Sequence, residues 1–282
     1  MGLRAIVTFD APTGGGAGNG LVSWYDAALT GPLKDLVEQE PRGGAYSAAE
    51  THADERAERM DFGLVSTGWN AMRQELLREP ETAFVTLWSE SLETPAAHVR
   101  SSSISVRRPN MGGRLLLGDA LGSPDDPAYC DGAVAFLVAA LDAVNPAFAW
   151  LGDDGPATDD THLDCVLGRK VRDSVREART FLRGYSWTTV CPEELSQRLG
   201  GPKALAATGA FHRIVPLTAG GVVLQATRTV ADYTDDAVRR VVDALRPVLP
   251  PGMPQFDPAR GLRPRSEPAW RPPRQAAGPS IA

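Results

Sequence analysis

What this sequence lacks removes several functional classes at once. It holds three cysteines, Cys130, Cys165 and Cys191, odd in number and far apart, so neither a disulfide framework nor a CxxC metal pattern is present. They read as reduced core thiols. No uninterrupted apolar run approaches the roughly 20 residues that a membrane span needs, and the apolar stretch in residues 1–10 is too short for a secretory signal. The expectation is a soluble, cytoplasmic protein with no membrane contact. Basic residues come in pairs, Arg107-Arg108 and Arg169-Lys170, and the five tail arginines at 260, 263, 265, 271 and 274 are diffuse. With a net charge of −6 and a pI near 5.3, no nucleic-acid partner is expected, because phosphate contacts need clustered Lys and Arg. An acidic body suits a basic protein partner instead.

Catalytic signatures are missing as well. There is no Gly-x-Ser-x-Gly elbow and no HExxH, and Cys191, next to Pro192, has no evident histidine partner. The histidines at 52, 98, 162 and 212 are scattered; His162 and Cys165 together supply at most two of the three or four ligands that zinc requires. No metal, cofactor or catalytic residue is expected.

What is present is a globular chain of 282 residues, 43% hydrophobic and 23% charged, long enough to bury a sizeable core. Residues 1–10 alternate as a first strand, and after a glycine loop apolar residues from Leu21 to Val37 recur at helical spacing. Residues 41–60, polar and alanine-rich, read as a solvated helix or a loop. Strands follow at residues 83–88 and 101–107 and at Leu115-Leu-Leu117, as antiparallel neighbours. The interval from 130 to 149 is apolar nearly all round, predicting a core helix. A helix over residues 163–183 then leads to a strand bearing Tyr185, Trp187 and Val190. Pro192, with Glu193 and Glu194 behind it, opens a short helix that Gly200-Gly201 stops. Phe211-His-Arg-Ile-Val215 and the arm after Gly220-Gly221 predict a hairpin, and Thr234 caps a last helix.

These elements define an α+β fold: a mixed or antiparallel sheet, or sheets, with helices on one face. Residues 1–249 form a single globular domain, with halves 1–151 and 161–249 that share loose similarity of order. Residues 250–282, rich in Pro and Arg, predict a disordered tail.

Two constellations deserve a chemical reading. Gly14-Gly-Gly-Ala-Gly-Asn-Gly20 stands between strand and helix, where glycine loops bind phosphate, yet it matches neither the dinucleotide nor the P-loop spacing and reads as a connector. The acidic pairs Asp125-Asp126, Asp153-Asp154 and Asp159-Asp160 lie at loops or helix starts, where Asp caps backbone N–H groups. They are also candidate contacts for a protein partner. Tyr185 and Trp187 are the remaining candidates, since Trp and Tyr anchor interfaces as well as cores; both share one strand face, so both pack inward or both are displayed.

The order Leu182-Arg-Gly-Tyr-Ser-Trp187, Pro192, Glu194-Leu195, Leu199-Gly-Gly201 and Gly221-Val-Val-Leu-Gln225 resembles the C-terminal half of a group of uncharacterised-domain proteins, the type VI secretion and polymorphic-toxin immunity proteins. The resemblance implies a cytoplasmic α/β protein that binds and blocks a cognate toxin and has no catalytic residues of its own. Two other readings stand beside it. One is an enzyme using the residue 14–20 glycine loop or an Asp pair; the other is an accessory component of a secretion or phage-tail-like assembly.

Overall fold

A computed structural model describes residues 2–10, 16–54, 58–89, 95–104, 110–153 and 160–252. The chain opens with strand β1 (Arg4–Phe9), helix α1 (Gly16–Thr30) and helix α2 (Lys34–Gln39). Strands β2 (Ala45–His52) and β3 (Met60–Asp61) and helix α3 (Val65–Leu76) follow, then the meander β4 (Thr82–Ser89), β5 (Ala97–Ser103) and β6 (Met111–Leu117). Helix α4 (Pro127–Leu141) leads to β7 (Phe148–Gly152), α5 (His162–Leu167), α6 (Val171–Arg176) and β8 (Thr188–Cys191). The chain closes with α7 (Glu193–Arg198), α8 (Gly201–Ala207), the hairpin β9 (Arg213–Pro216) and β10 (Val222–Gln225), and α9 (Asp235–Leu245).

The ten strands among the described residues form one antiparallel sheet in the order β3-β2-β4-β5-β6-β1-β7-β8-β10-β9. The fold is therefore α+β. The two sequence halves share this sheet and meet where β7 pairs with β8; β1 lies near the middle, with Arg4 opposite Leu116 of β6 on one side and Gly152 of β7 on the other. A strand in that central position is buried on both faces, and residues 5–9 are all buried. Their one polar side chain, Thr8, is fully buried and accepts a hydrogen bond from Arg183 Nη1 at 2.8 Å.

Helix α1 packs across β1, β5 and β6, with α4 beside it. Its glycines serve close approach. A Cβ at Gly20 would stand 2.7 Å from the Phe9 ring, and one at Gly18 would stand 2.8 Å from the Leu77 carbonyl oxygen. Gly18 N–H instead donates to the Glu79 carboxylate at 3.0 Å, so the protein supplies its own anion at this helix start. Helix α3 is tied similarly: Ser66 N–H donates to Glu40 Oε2 at 2.6 Å, and Val65 N–H to Ser47 Oγ at 2.7 Å.

Several expectations need correction. Residues 45–52 form a strand, because Ala45, Ser47, Ala49 and Thr51 point small side chains into the core beneath α2 and α3. The core helix ends at Leu141, and the expected helical interval to 149 runs into the start of β7, whose residues are all buried. The helix expected over residues 163–183 is two short helices, broken where Gly168 takes φ +62°, a conformation glycine adopts without Cβ strain. Thr234 stands at the N-cap position of α9 with extended backbone, but its side chain makes no cap bond. Part of the strand expected at 101–107 and the tail beyond 252 lie outside the described residues.

Candidate functional site

Alternation in β2, β4, β5 and β6 sends one set of side chains to the helices. Ala49, Val85, Val99 and Leu115 are buried there. The other set faces away, and in β2 and β5 it stays exposed or half-exposed. Register brings distant residues together on this outer face. Phe84 stands opposite Arg100, Arg100 opposite Arg114, Thr86 opposite His98, and His98 opposite Leu116. Arg4 of β1 stands opposite Leu116 from the other side. The result is an open depression of about 700 Å³ whose lining includes Arg4, Arg59, Arg100, Arg114, His52 and His98.

Among the described residues, no carboxylate lines this depression. Glu50, on the same side of β2, reaches Arg59 Nη1 at 3.4 Å. Arg100 and Arg114 stand directly opposite one another, and like charges placed so across an antiparallel ladder repel. His98 adds no fixed charge: burial lowers its pKa below the ordinary value, and its Nδ1 lies 3.0 Å from Thr86 Oγ1. Aromatic residues share this face. Tyr46, 52% exposed, stands opposite the half-buried Trp88, and Phe84 is half-buried beside Arg100. An exposed sheet face mixing Arg, Tyr and Trp has the composition that dominates protein-binding energy.

The residues expected from sequence lie elsewhere. Tyr185 and Trp187 both pack inward; Trp187 is 0% exposed and its Nε1 donates to the Thr227 carbonyl at 2.9 Å. As surface contacts they are ruled out, because a partner cannot reach a core side chain. Asp126 caps α4, accepting from Ala128 N–H at 2.8 Å, while Asp125 beside it is exposed. Asp153 and Asp160 are half-buried, and Asp154 and Asp159 lie outside the described residues. None of these four described aspartates lines the depression. Of the glycine loop, Gly14 lies outside the described residues, whereas Gly16, Gly18 and Gly20 belong to α1.

Reactive chemistry finds little footing. Among the described residues, no group of three or more His, Cys, Asp or Glu side chains is placed to hold a metal ion. Burial pushes the Cys191 thiol up to about 12, so it stays protonated at neutral pH and is a poor nucleophile. The densest polar clusters are ties between elements. Arg179 donates to both Asp10 oxygens, at 2.8 and 2.7 Å, and to Glu194 at 2.9 Å. Arg183, 1% exposed, donates to Ser174 and to the fully buried Asp164.

The sequence reading missed the depression because it judged basic residues by adjacency along the chain. The available signal was Arg100 and Arg114 at the polar positions of two alternating strands.

No family model and no curated sequence matches this chain. Among solved structures, the Pseudomonas aeruginosa T6SS protein PA0821 is similar to it, with a TM-score of 0.56 over 95% of this chain and 79% of that one. At 14% identity the likeness is one of fold. No helix among the described residues is long and apolar enough to cross a membrane.

Proposed function

We propose that this chain is a binding protein of a type VI secretion system, and specifically an immunity protein that neutralises a cognate toxin by covering it. The observation that carries the reading is the outer face of β2, β4, β5 and β6, left open and furnished with Arg100, Arg114, Tyr46 and Trp88. Arg, Tyr and Trp on one sheet face supply the anchors of a protein interface. The fold shared with a T6SS protein supports the system, and the motif order from Leu182 to Gln225 supports the immunity form. Inhibition by contact requires complementarity of shape and charge and no reactive group of the inhibitor's own.

The test is co-expression with a secreted effector drawn from the neighbouring reading frames. Restored growth together with a stoichiometric complex on size exclusion is the expected result. An effector that stays toxic and elutes separately ends the proposal, and recovery of structural tail or sheath proteins instead moves the chain to an assembly role.

A further inference from the structure

The described sheet ends in two strands with a single neighbour each, β3 and β9, and such an edge offers its outward N–H and C=O groups to another chain. At one end, β9 includes Pro216, which has no N–H to give. β3 differs. Phe62 N–H donates to the Ala49 carbonyl at 2.9 Å, so alternation turns the backbone groups of Met60 and Phe62 toward β2 and those of Arg59 and Asp61 away from it. Arg59, Met60 and Asp61 are all exposed. We infer that β3 pairs antiparallel with the β3 of a second copy of this chain, about a two-fold axis at Met60, joining two sheets into one. The inference stands independently of the binding reading above.

Register and charge select the second copy as the occupant. For the outward groups to bond, Arg59 must stand opposite Asp61 of the second copy and Asp61 opposite its Arg59, with Met60 facing its own equivalent on the axis. The same three residues thus supply both halves of the contact, two cross-strand pairs of opposite charge and one apolar pair. Alternation puts Arg59 and Asp61 on the face that carries Glu50, and within one copy Glu50 stands directly opposite Asp61, two carboxylates that repel. A cation on the far side of Asp61 completes that row, and the second copy brings one. Arg59 keeps its own contact with Glu50, 3.4 Å from Nη1 with the side chain 69% exposed, because its guanidinium carries further N–H donors. Asp61 accepts from Gly63 N–H through Oδ1 at 2.7 Å and has Oδ2 for the arginine. Met60, 45% exposed, buries apolar surface against its equivalent. The open outer faces of the two copies then lie side by side on one continuous sheet.

The paired edge is short, so sedimentation equilibrium of the full chain is expected to show a reversible dimer with a dissociation constant of about 10–100 µM. Asp61→Arg sets arginine opposite arginine twice, and Arg59→Asp does the same with carboxylates; each should weaken self-association about tenfold or more. Mixing these two variants restores a dimer, and so does combining both substitutions in one chain, because each arrangement recreates the opposite-charge pairs. In a Cys165→Ser background, which removes the exposed native thiol, oxidised Met60→Cys gives a covalent dimer, whereas Asp61→Cys, offset from its equivalent across the axis, does not. Circular dichroism melts establish that each variant is folded. Three results overturn the inference: a chain that stays monomeric at about 1 mM, a dimer that folded Asp61→Arg leaves intact, or failure of the two folded single variants to associate when mixed.

Discussion

The two wings of the sheet obey the same antiparallel ladder and reach opposite outcomes. In β7, β8 and β10 every residue is buried. In β2 and β5 only alternate residues are fully buried. What differs is the second face. Across β1 and β7 it is closed by the segment that carries Arg183, whose guanidinium lies 5.7 Å from the Phe148 ring centroid and donates to Thr8, Ser174 and Asp164. Burying a charge there demands partners at nearly every donor. On the outer face of β5 and β6, Arg100 is exposed and Arg114 half-buried. One wing is tied by a fully buried arginine, the other carries its arginines exposed or half-buried.

That contrast can be broken most decisively at Arg183. Arg183→Ala strands Asp164 as a buried, uncompensated charge, so a loss of about 3–5 kcal/mol is expected in urea unfolding. A loss below about 1 kcal/mol, the range of an exposed ion pair, would mean the covered wing is not held by this network. In the open wing Tyr46→Ala should behave the other way. Its effect on stability should stay within about 0.5 kcal/mol, while affinity for the partner, read by calorimetry, should fall by about 1–2 kcal/mol. If instead the unfolding midpoint collapses and affinity holds, Tyr46 belongs to the fold. Asp126→Ala removes a helix cap and should cost about 1 kcal/mol of stability, with partner affinity unchanged if the basic face alone makes the contact.

The smallest expected effect is titration, and it involves both wings. Burial lowers the pKa of His98 in the open wing and of His162 in the covered segment below the ordinary 6.5. As pH falls, the unfolded chain takes up these protons first, so their contribution to stability is complete above pH 6.5 and is lost as pH drops through the depressed folded values. Thermal melts across this range should show a decline that His162→Gln reduces. A melting temperature independent of pH there would contradict the burial of both rings.

Much of the fold was legible where periodicity is strong. β1, β4, α4, α7, the β9–β10 hairpin and α9 follow from local pattern, because strand alternation and helical spacing leave their mark within a few residues; β5 and β6 were read only at their C-terminal ends, since β5 starts at Ala97 and β6 at Met111. β2 escaped because its buried face is Ala45, Ser47, Ala49 and Thr51, small residues whose burial is set by helices packing over them and not by their own hydrophobicity. β7 escaped because a short run buried on both faces looks the same as the end of a buried helix. Gly168 was read through as tolerated helix, although its left-handed backbone ends α5. For the candidate site, sequence named the acidic loops and Tyr185 and Trp187, of which the two aromatics are buried and none of the described residues lines the depression.

Composition and periodicity alone settled the class of this molecule, an α+β chain with a large core and no recognisable catalytic or zinc motif, since those properties are local or additive along the chain. The meeting of Arg4, Arg100 and Arg114 was decided by tertiary structure. Those residues are up to 110 positions apart, Arg4 to Arg114, and only strand order and register place them on one face. Which aromatics are buried was decided in the same way, because a side chain's fate depends on what the rest of the chain lays over it.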